Sequence, residues 1–217
     1  MDNGENKKKY STIERIKTLE IEGERYVWYD LASTTSTMNF AVDLVKKGCL
    51  PWTIVTARHQ VSGRGTHGRN WVVPQGKGLL LSLVIPPILY AERLEHLQEL
   101  AAVALIETLS EFFALPFHIK LPNDVLIEGR KVAGILFESA LCGKQVQSLI
   151  LGVGLNLYQT REDFECAGLP DATSLYIEGG NVPERESLLI SFLKHFRKRY
   201  ETLSKDTVRM TDARIIV

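Results

Sequence analysis

Apolar positions along the chain fall mostly into short runs of strand type cut by turn residues, with three stretches of helical spacing among them. Residues 26–30 (YVWYD) are aromatic and β-branched and predict a first strand. A serine/threonine cluster follows at 33–37. Residues 38–47 then place Ala41, Val42, Leu44 and Val45 on one side of a helix, with Ser36 or a neighbouring threonine as N-cap and Gly48 as stop. Residues 53–56 read as a short buried strand, and 79–85 as another, ended by Pro86 and Pro87. Residues 91–113 form the clearest helix, its period kept by Leu94, Leu97, Leu100, Ala101, Ala104, Leu105 and Leu109.

The next stretch alternates strands with turns. Residues 117–121 precede the turn Pro122-Asn123-Asp124, and 125–127 precede Glu128-Gly129-Arg130. Residues 132–137 then lead to a loop around Gly143, and 146–157 close the series. Consecutive strands joined by such short turns have to lie antiparallel. A last helix, 184–203, carries Leu, Ile and Phe on one side and Lys and Arg on the other. The sum is an α+β domain, one mixed, largely antiparallel sheet packed with helices. At 217 residues, one large domain is expected over 26–204, with 1–25 as tail and lead-in and 205–217 as a short tail.

Composition narrows the setting. Apolar residues make up 45% of the chain and charged residues 24%, the balance of a globular protein, and net charge is zero, which gives no footprint for coating nucleic acid. Cys49, Cys142 and Cys166 are odd in number and form no Cys-x-x-Cys pair, against a disulfide framework or a cysteine-built zinc site. Residues 1–9 are polar and lysine-rich, unlike a secretory signal, and the longest apolar run, 79–90, is broken by Ser82, Pro86 and Pro87. A cytoplasmic protein without membrane or nucleic-acid partners is expected.

Four segments carry candidate chemistry. Gly63-Arg64-Gly65-Thr66-His67-Gly68-Arg69-Asn70-Trp71 has three glycines that let backbone approach a ligand and two arginines suited to phosphate or carboxylate. It matches neither the Walker pattern nor a dinucleotide-binding glycine motif. Lys120-Leu121-Pro122-Asn123-Asp124 is ordinary turn chemistry, and also sets an amide and a carboxylate at a strand end, where they could hold a nucleotide or its magnesium. Lys131 opens a strand containing Gly134, a glycine that suggests close approach of a ligand or another backbone. Gly152-Val153-Gly154-Leu155-Asn156 repeats that signal. His67 has no partner histidines at ligand spacing, so no protein-held metal centre is expected, and no Ser-His or Cys-His arrangement is present. The implied chemistry is stabilisation of anionic charge, as in adenylation or another phosphoryl-type transfer.

In order and spacing these segments resemble the catalytic domain of biotin protein ligases, a class II synthetase-like fold. The family's Ser-Thr-Asn-like motif corresponds to Ser36-Thr37-Met38. Its Gln-x-x-Gly-Arg-Gly-x-x-Gly-Arg-x-Trp is matched from Gln60 to Trp71, its Lys-Trp-Pro-Asn-Asp from Lys120 to Asp124, its Lys-x-x-Gly-Ile-Leu-x-Glu from Lys131 to Glu138, and its Gly-x-Gly-x-Asn from Gly152 to Asn156. The resemblance covers roughly 26–203.

The resemblance implies activation of biotin by ATP and Mg2+ to biotinyl-5′-AMP, then transfer to a lysine of a biotin carboxyl carrier protein, by a monomer or homodimer. It assigns Ser36, Thr37, Met38, Gln60, Gly63, Gly65, Thr66, Gly134 and Gly154 to biotin. Arg64 and Lys131 fall to its carboxylate and the forming acyl phosphate, as the catalytic pair. Arg69, Trp71, Lys120, Asn123, Asp124 and Asn156 fall to the nucleotide. The 63–71 loop is expected to order over the adenylate and shield it from water. The chain departs from the family at Thr66, usually arginine, and at Leu121, usually tryptophan. Absence of the arginine cation at position 66 is expected to weaken retention of the adenylate unless Arg64 and Arg69 suffice. Too few residues follow Leu203 for the small β-barrel many members carry, and too few precede Tyr26 for a helix-turn-helix domain. Lipoate or octanoate ligases share the fold, but their loop reads Arg-Arg-x-x-Gly-Gly-Gly. A non-catalytic paralogue that binds biotin or its adenylate is the other alternative.

Overall fold

A computed structural model describes residues 11–87, 95–142 and 145–214. β1 (Thr12–Ile21) and β2 (Glu24–Ser33) form a hairpin, α1 (Thr37–Lys46) crosses over, and β3 (Thr53–Ala57) returns parallel to β2. A small hairpin, β4 (Gly63–Arg64) and β5 (Asn70–Trp71), stands apart from the main sheet and is closed by a 3-10 turn at Thr66–Gly68. β6 (Gly78–Ile85) lies against β3, and α2 (Glu95–Ser110) follows. β7 (Phe117–Lys120), β8 (Asp124–Ile127), β9 (Arg130–Cys142) and β10 (Gln145–Asn156) run antiparallel in sequence, and β10 closes onto β6. Short helices α3 (Arg161–Cys166) and α4 (Leu175–Gly179) lead into α5 (Arg185–Arg214). The sheet order is β1-β2-β3-β6-β10-β9-β8-β7.

Alternation along the central strands gives the sheet two unlike faces. Leu79, Leu81, Leu83 and Ile85 of β6, with Leu149, Leu151, Val153 and Leu155 of β10, share one core with Leu97 and Leu105 of α2 and Phe192 and Phe196 of α5. The intervening residues serve the other face. There Val84 and Ile150 pack with Met38 and Ala41 of α1, while Ser82, Gly152, Gly154 and Asn156 offer little bulk. Register lines these up in transverse rows. Gly154 stands between Leu80 and Gly134, with Asp124 beyond Gly134, and Gly152 stands between Ser82 and Leu136. One face is filled with large side chains; the other has a floor low enough for a cavity.

The antiparallel series predicted over 117–157 is present, and Ser36 is the N-cap of α1, accepting from Met38 N at 3.2 Å, with Gly48 (φ 78°) just past its end. The first turn expected of the 91–113 helix and the loop at Gly143 lie outside the described residues. Three findings differ from the expectation. β1 occupies the stretch expected as lead-in. It is an edge strand whose register shifts between Ile13 and Arg15, leaving Ile13 and Ile16 both exposed, so no clean period of two marks it. The 63–71 loop contains a hairpin. α5 runs on to Arg214, into the segment expected as a tail, because neither glycine nor proline follows Leu203. Among the described residues no helix is long and apolar enough to cross a membrane.

α5 is fastened between Phe192 and Glu201. Phe192, Phe196 and Tyr200 stack with centroids 5.7 and 5.9 Å apart. Arg197 lies 4.7 Å from the Trp52 ring centre and pairs with Glu24 at 3.0 Å and Glu201 at 2.7 Å. Burial raises the Tyr26 phenol pKa above its ordinary value, partly offset by its hydrogen bond from Arg197. Because Phe196 is fully buried, Phe196→Ala is expected to lower the free energy of unfolding in urea by about 3–5 kcal/mol. A loss below about 1 kcal/mol would show that α5 does not close the core.

Candidate active site

The glycine-floored face opens into a cavity of about 220 Å³ roofed by the 63–71 segment. Its polar end lies where α1 begins. Ser36, Thr37, Met38 and Gln60 line it. Gln60 Oε1 accepts from Thr37 N at 2.7 Å and from Thr37 Oγ1 at 3.1 Å, and Ser82 Oγ donates to Thr37 Oγ1 at 2.9 Å. The Thr37 N–H is one of the donors a helix start leaves without a partner inside the helix, and Gln60 supplies one. Met38 is buried and packs on Gly152, where a Cβ would come within 2.9 Å of its sulfur.

Lys131 and Arg64 both line the cavity, and each is held by a carboxylate. Lys131 Nζ lies 2.6 Å from Asp124 Oδ1 across the β8–β9 hairpin. Arg64 pairs with Glu138 of β9 and donates to Asn39 Oδ1 of α1 at 2.9 Å. The Lys131 main chain is fixed as well: its N–H donates to Asp171 O and its carbonyl accepts from Thr173 N, at 2.8 and 2.9 Å. Arg69 folds back on its own turn, donating through Nη2 to Thr66 Oγ1 at 2.9 Å. Thr66, at the family's arginine position, thus holds a cation without supplying one. Gly65 also lines the cavity, but its N–H donates to Arg69 O, so it is spent within the hairpin.

Trp71 explains the glycines of the floor. Its indole lies across the paired Gly134 and Gly154; a Cβ on Gly154 would come within 2.3 Å of the ring, and one on Gly134 within 3.0 Å. The close approach expected there from a ligand or a backbone is made by a side chain. Lys131 Nζ sits 5.4 Å from the ring centre, and the buried indole Nε1 has no hydrogen-bond partner.

The other wall is built by Asn123, Asn156 and the segment after α3. Asn123 Nδ2 donates to Ile135 O at 2.9 Å. Asn156 donates to Thr173 O and accepts from Gln159 Nε2 at 2.7 Å, which ties β10 to the segment that pins Lys131. Phe164, Leu169 and Ala172 add apolar surface. α3 starts with a capping box at Thr160 and Asp163, and the hydrogen bond from Lys77 holds the Asp163 carboxyl below its ordinary pKa.

Most of the residues singled out from the sequence meet here, but Gly63, Lys120 and Asp124 do not line the cavity. Gly63 is a hairpin requirement, since a Cβ would come within 2.3 Å of Trp71 O. Lys120 is exposed at the end of β7, and Asp124 acts from behind Lys131. Sequence reading missed Val72, Leu80, Leu136 and the 164–172 wall, whose residues are ordinary apolar types, and also Ser82 and Gln159 just behind the lining.

The Biotin/lipoate A/B protein ligase family matches this chain over residues 31–156. The bifunctional ligase/repressor BirA of Bacillus subtilis is 35% identical over 185 residues, covering 85% of this chain and 56% of the relative. The biotin--[acetyl-CoA-carboxylase] ligase of Paracoccus denitrificans is 41% identical over 155 residues, covering 70% of this chain and 59% of the relative. The chain therefore spans somewhat more than half the length of these relatives. Among solved structures, a biotin protein ligase from Aquifex aeolicus in complex with biotin and ATP superposes with a TM-score of 0.68 at 30% identity, covering 83% of this chain and 72% of that one. With the match extending over more than half of its residues and along the strands that build the cavity, the chain belongs to the biotin/lipoate A/B protein ligase family.

Proposed function

We propose that this chain is an ATP-dependent biotin protein ligase, forming biotinyl-5′-AMP and passing biotin to a lysine of a carrier domain such as that of acetyl-CoA carboxylase. The observation that carries the reading is that Lys131 and Arg64, from separate elements, border one cavity between a polar end suited to a small ring and an apolar wall suited to a base. Support comes from the Aquifex relative, described with both biotin and ATP, and from relatives named for acetyl-CoA carboxylase. The free thiols of half-buried Cys49 and exposed Cys166 suit the cytoplasm, where we place the protein.

In this reading a biotin carboxylate oxygen attacks the α-phosphorus of ATP, and the bond to pyrophosphate breaks. Two anions have to meet, and their repulsion is the barrier the site can lower. Lys131 leaves Asp124 and Arg64 leaves Glu138 to face the forming acyl phosphate. The nucleotide packs by Trp71, Asn123, Asn156 and Arg69, and biotin by Ser36, Thr37, Met38 and Gln60. The neutral amine of the carrier lysine then attacks the acyl carbon, AMP departs, and the amine proton passes to solvent. Magnesium would be held chiefly by the phosphates, with Asp124 open to it from behind the lining only once Lys131 has left, and would supply charge neutralisation. Among the described residues no group of three or more His, Cys, Asp or Glu gathers to hold a metal.

The purified chain is expected to catalyse biotin-dependent exchange of pyrophosphate into ATP, and Lys131→Ala to slow it about 100-fold or more. Exchange driven by lipoate and not by biotin would move the chain to the other branch of its family, and a wild-type rate in Lys131→Ala would remove that residue from the reaction. Gly154→Ala, by forcing the indole of Trp71 off the sheet, is expected to raise the KM for ATP about tenfold, the size of a modest overpacking penalty. An unchanged KM would show that the indole position is not part of nucleotide binding.

A further inference from the structure

We infer that Ser82 is a positioning residue for ligand recognition, holding the Thr37 hydroxyl so that its proton goes to the Gln60 amide oxygen and an acceptor is left toward the ligand. The directions follow from one group that has no choice. The Thr37 main-chain N–H can only donate, and it meets a Gln60 side-chain atom at 2.7 Å, so that atom is the amide oxygen. The Thr37 hydroxyl meets the same oxygen at 3.1 Å and has to donate to it as well. With its single proton committed, Thr37 Oγ1 can only accept from anything else, and Ser82 Oγ donates to it at 2.9 Å. The run Ser82 to Thr37 to Gln60 therefore has every proton assigned. Ser82 is 0% exposed and Thr37 3%, so water does not compete for these bonds. Ser82 reaches the site from the row it shares with Gly152, without lining the cavity itself.

The relay dictates what the polar end offers. Gln60 has spent its oxygen on Thr37 and keeps the two protons of Nε2, so it is left as a donor. Thr37 Oγ1 keeps one lone pair, so it is left as an acceptor. An adjacent donor and acceptor of this polarity suit a ring that carries N–H beside C=O, as a cyclic urea does, and offer nothing to a disulfide ring. The ligand in this inference rests on the biotin reading above; the proton assignment does not. Without the Ser82 donor, the Thr37 hydroxyl is released from one of its two constraints and can turn its proton away from Gln60, whose amide keeps its orientation from the Thr37 N–H but is then held by one bond in place of two.

The test is a double-mutant cycle on biotin affinity, with kcat and KM from pyrophosphate exchange. Ser82→Ala is expected to raise both the Kd and the KM for biotin about fivefold, the scale of one buried hydrogen bond, with kcat within about twofold of wild type. In a Gln60→Ala background the same change is expected to have a smaller effect. An unchanged Kd, or the same fivefold loss in both backgrounds, would reduce Ser82 to a packing residue and overturn the inference. Should Ser82→Ala fail to fold, Thr37→Val cuts the relay at its middle and is expected to give at least the same loss; wild-type affinity in that variant would be equally fatal. A ligand-free readout separates this inference from the functional one. Hydrogen exchange at the Thr37 amide is expected to be several-fold faster in Ser82→Ala, with amides of β3 unmoved. If wild type binds no biotin but that exchange accelerates, the biotin reading fails and the relay stands. If the exchange does not change, the relay fails whatever the ligand.

Discussion

A side chain cannot be omitted from one face of a strand without changing what lies above it, and this structure turns on that constraint. Gly134 and Gly154 sit opposite each other on β9 and β10, and the missing Cβ atoms leave a depression one indole wide. Trp71 fills it, and through Trp71 the β4–β5 hairpin is seated over the sheet, bringing Arg64 and Arg69 with it. The same strands carry Val153, Leu155, Ala133 and Ile135 toward the helical core, so the floor of the site is anchored in the main hydrophobic core. A residue with a Cβ at either glycine would disturb the site while leaving that core in place.

The second organising feature is charge. Lys131 and Arg64 are not left bare in the cavity. Asp124 and Glu138 hold them at its edge, in pairs that remain partly open to water. Such pairs are weak enough for an anionic ligand to exchange for the carboxylate. They also keep two cations from repelling each other across a small space. The main-chain bonds from Lys131 to Asp171 and Thr173 mean that only its side chain has to move.

The sequence made the polar part of this arrangement legible and hid the apolar part. Four motifs announced Gln60, Arg64, Lys131, Asn123 and Asn156, because glycine, arginine and Asn-Asp are conspicuous in a strand-rich chain. The purpose of Gly134 and Gly154 was half legible: close approach was foreseeable, but that Trp71 makes it depends on how β4–β5 folds back, which no local pattern encodes. Leu169 and Ala172 look like any loop residues, and the isolated bridge of Ala172 to Lys131 joins segments about forty residues apart. β1 escaped notice because a bulge breaks its alternation, and Lys17 covers the Trp28 ring at 4.2 Å where an apolar residue would have advertised a strand. Ser82 escaped because a lone serine in an apolar run reads as an interruption, whereas in the fold it is a donor aimed at Thr37.

On the proposed function, one acyl-adenylate occupies the space shared by these groups. A crystal structure with a non-hydrolysable analogue of biotinyl-5′-AMP tests it most directly. The linking phosphate is expected within hydrogen-bond reach of Lys131 and Arg64, with the pairs to Asp124 and Glu138 opened and the adenine beside Trp71. An analogue bound elsewhere, with both ion pairs intact, would contradict this.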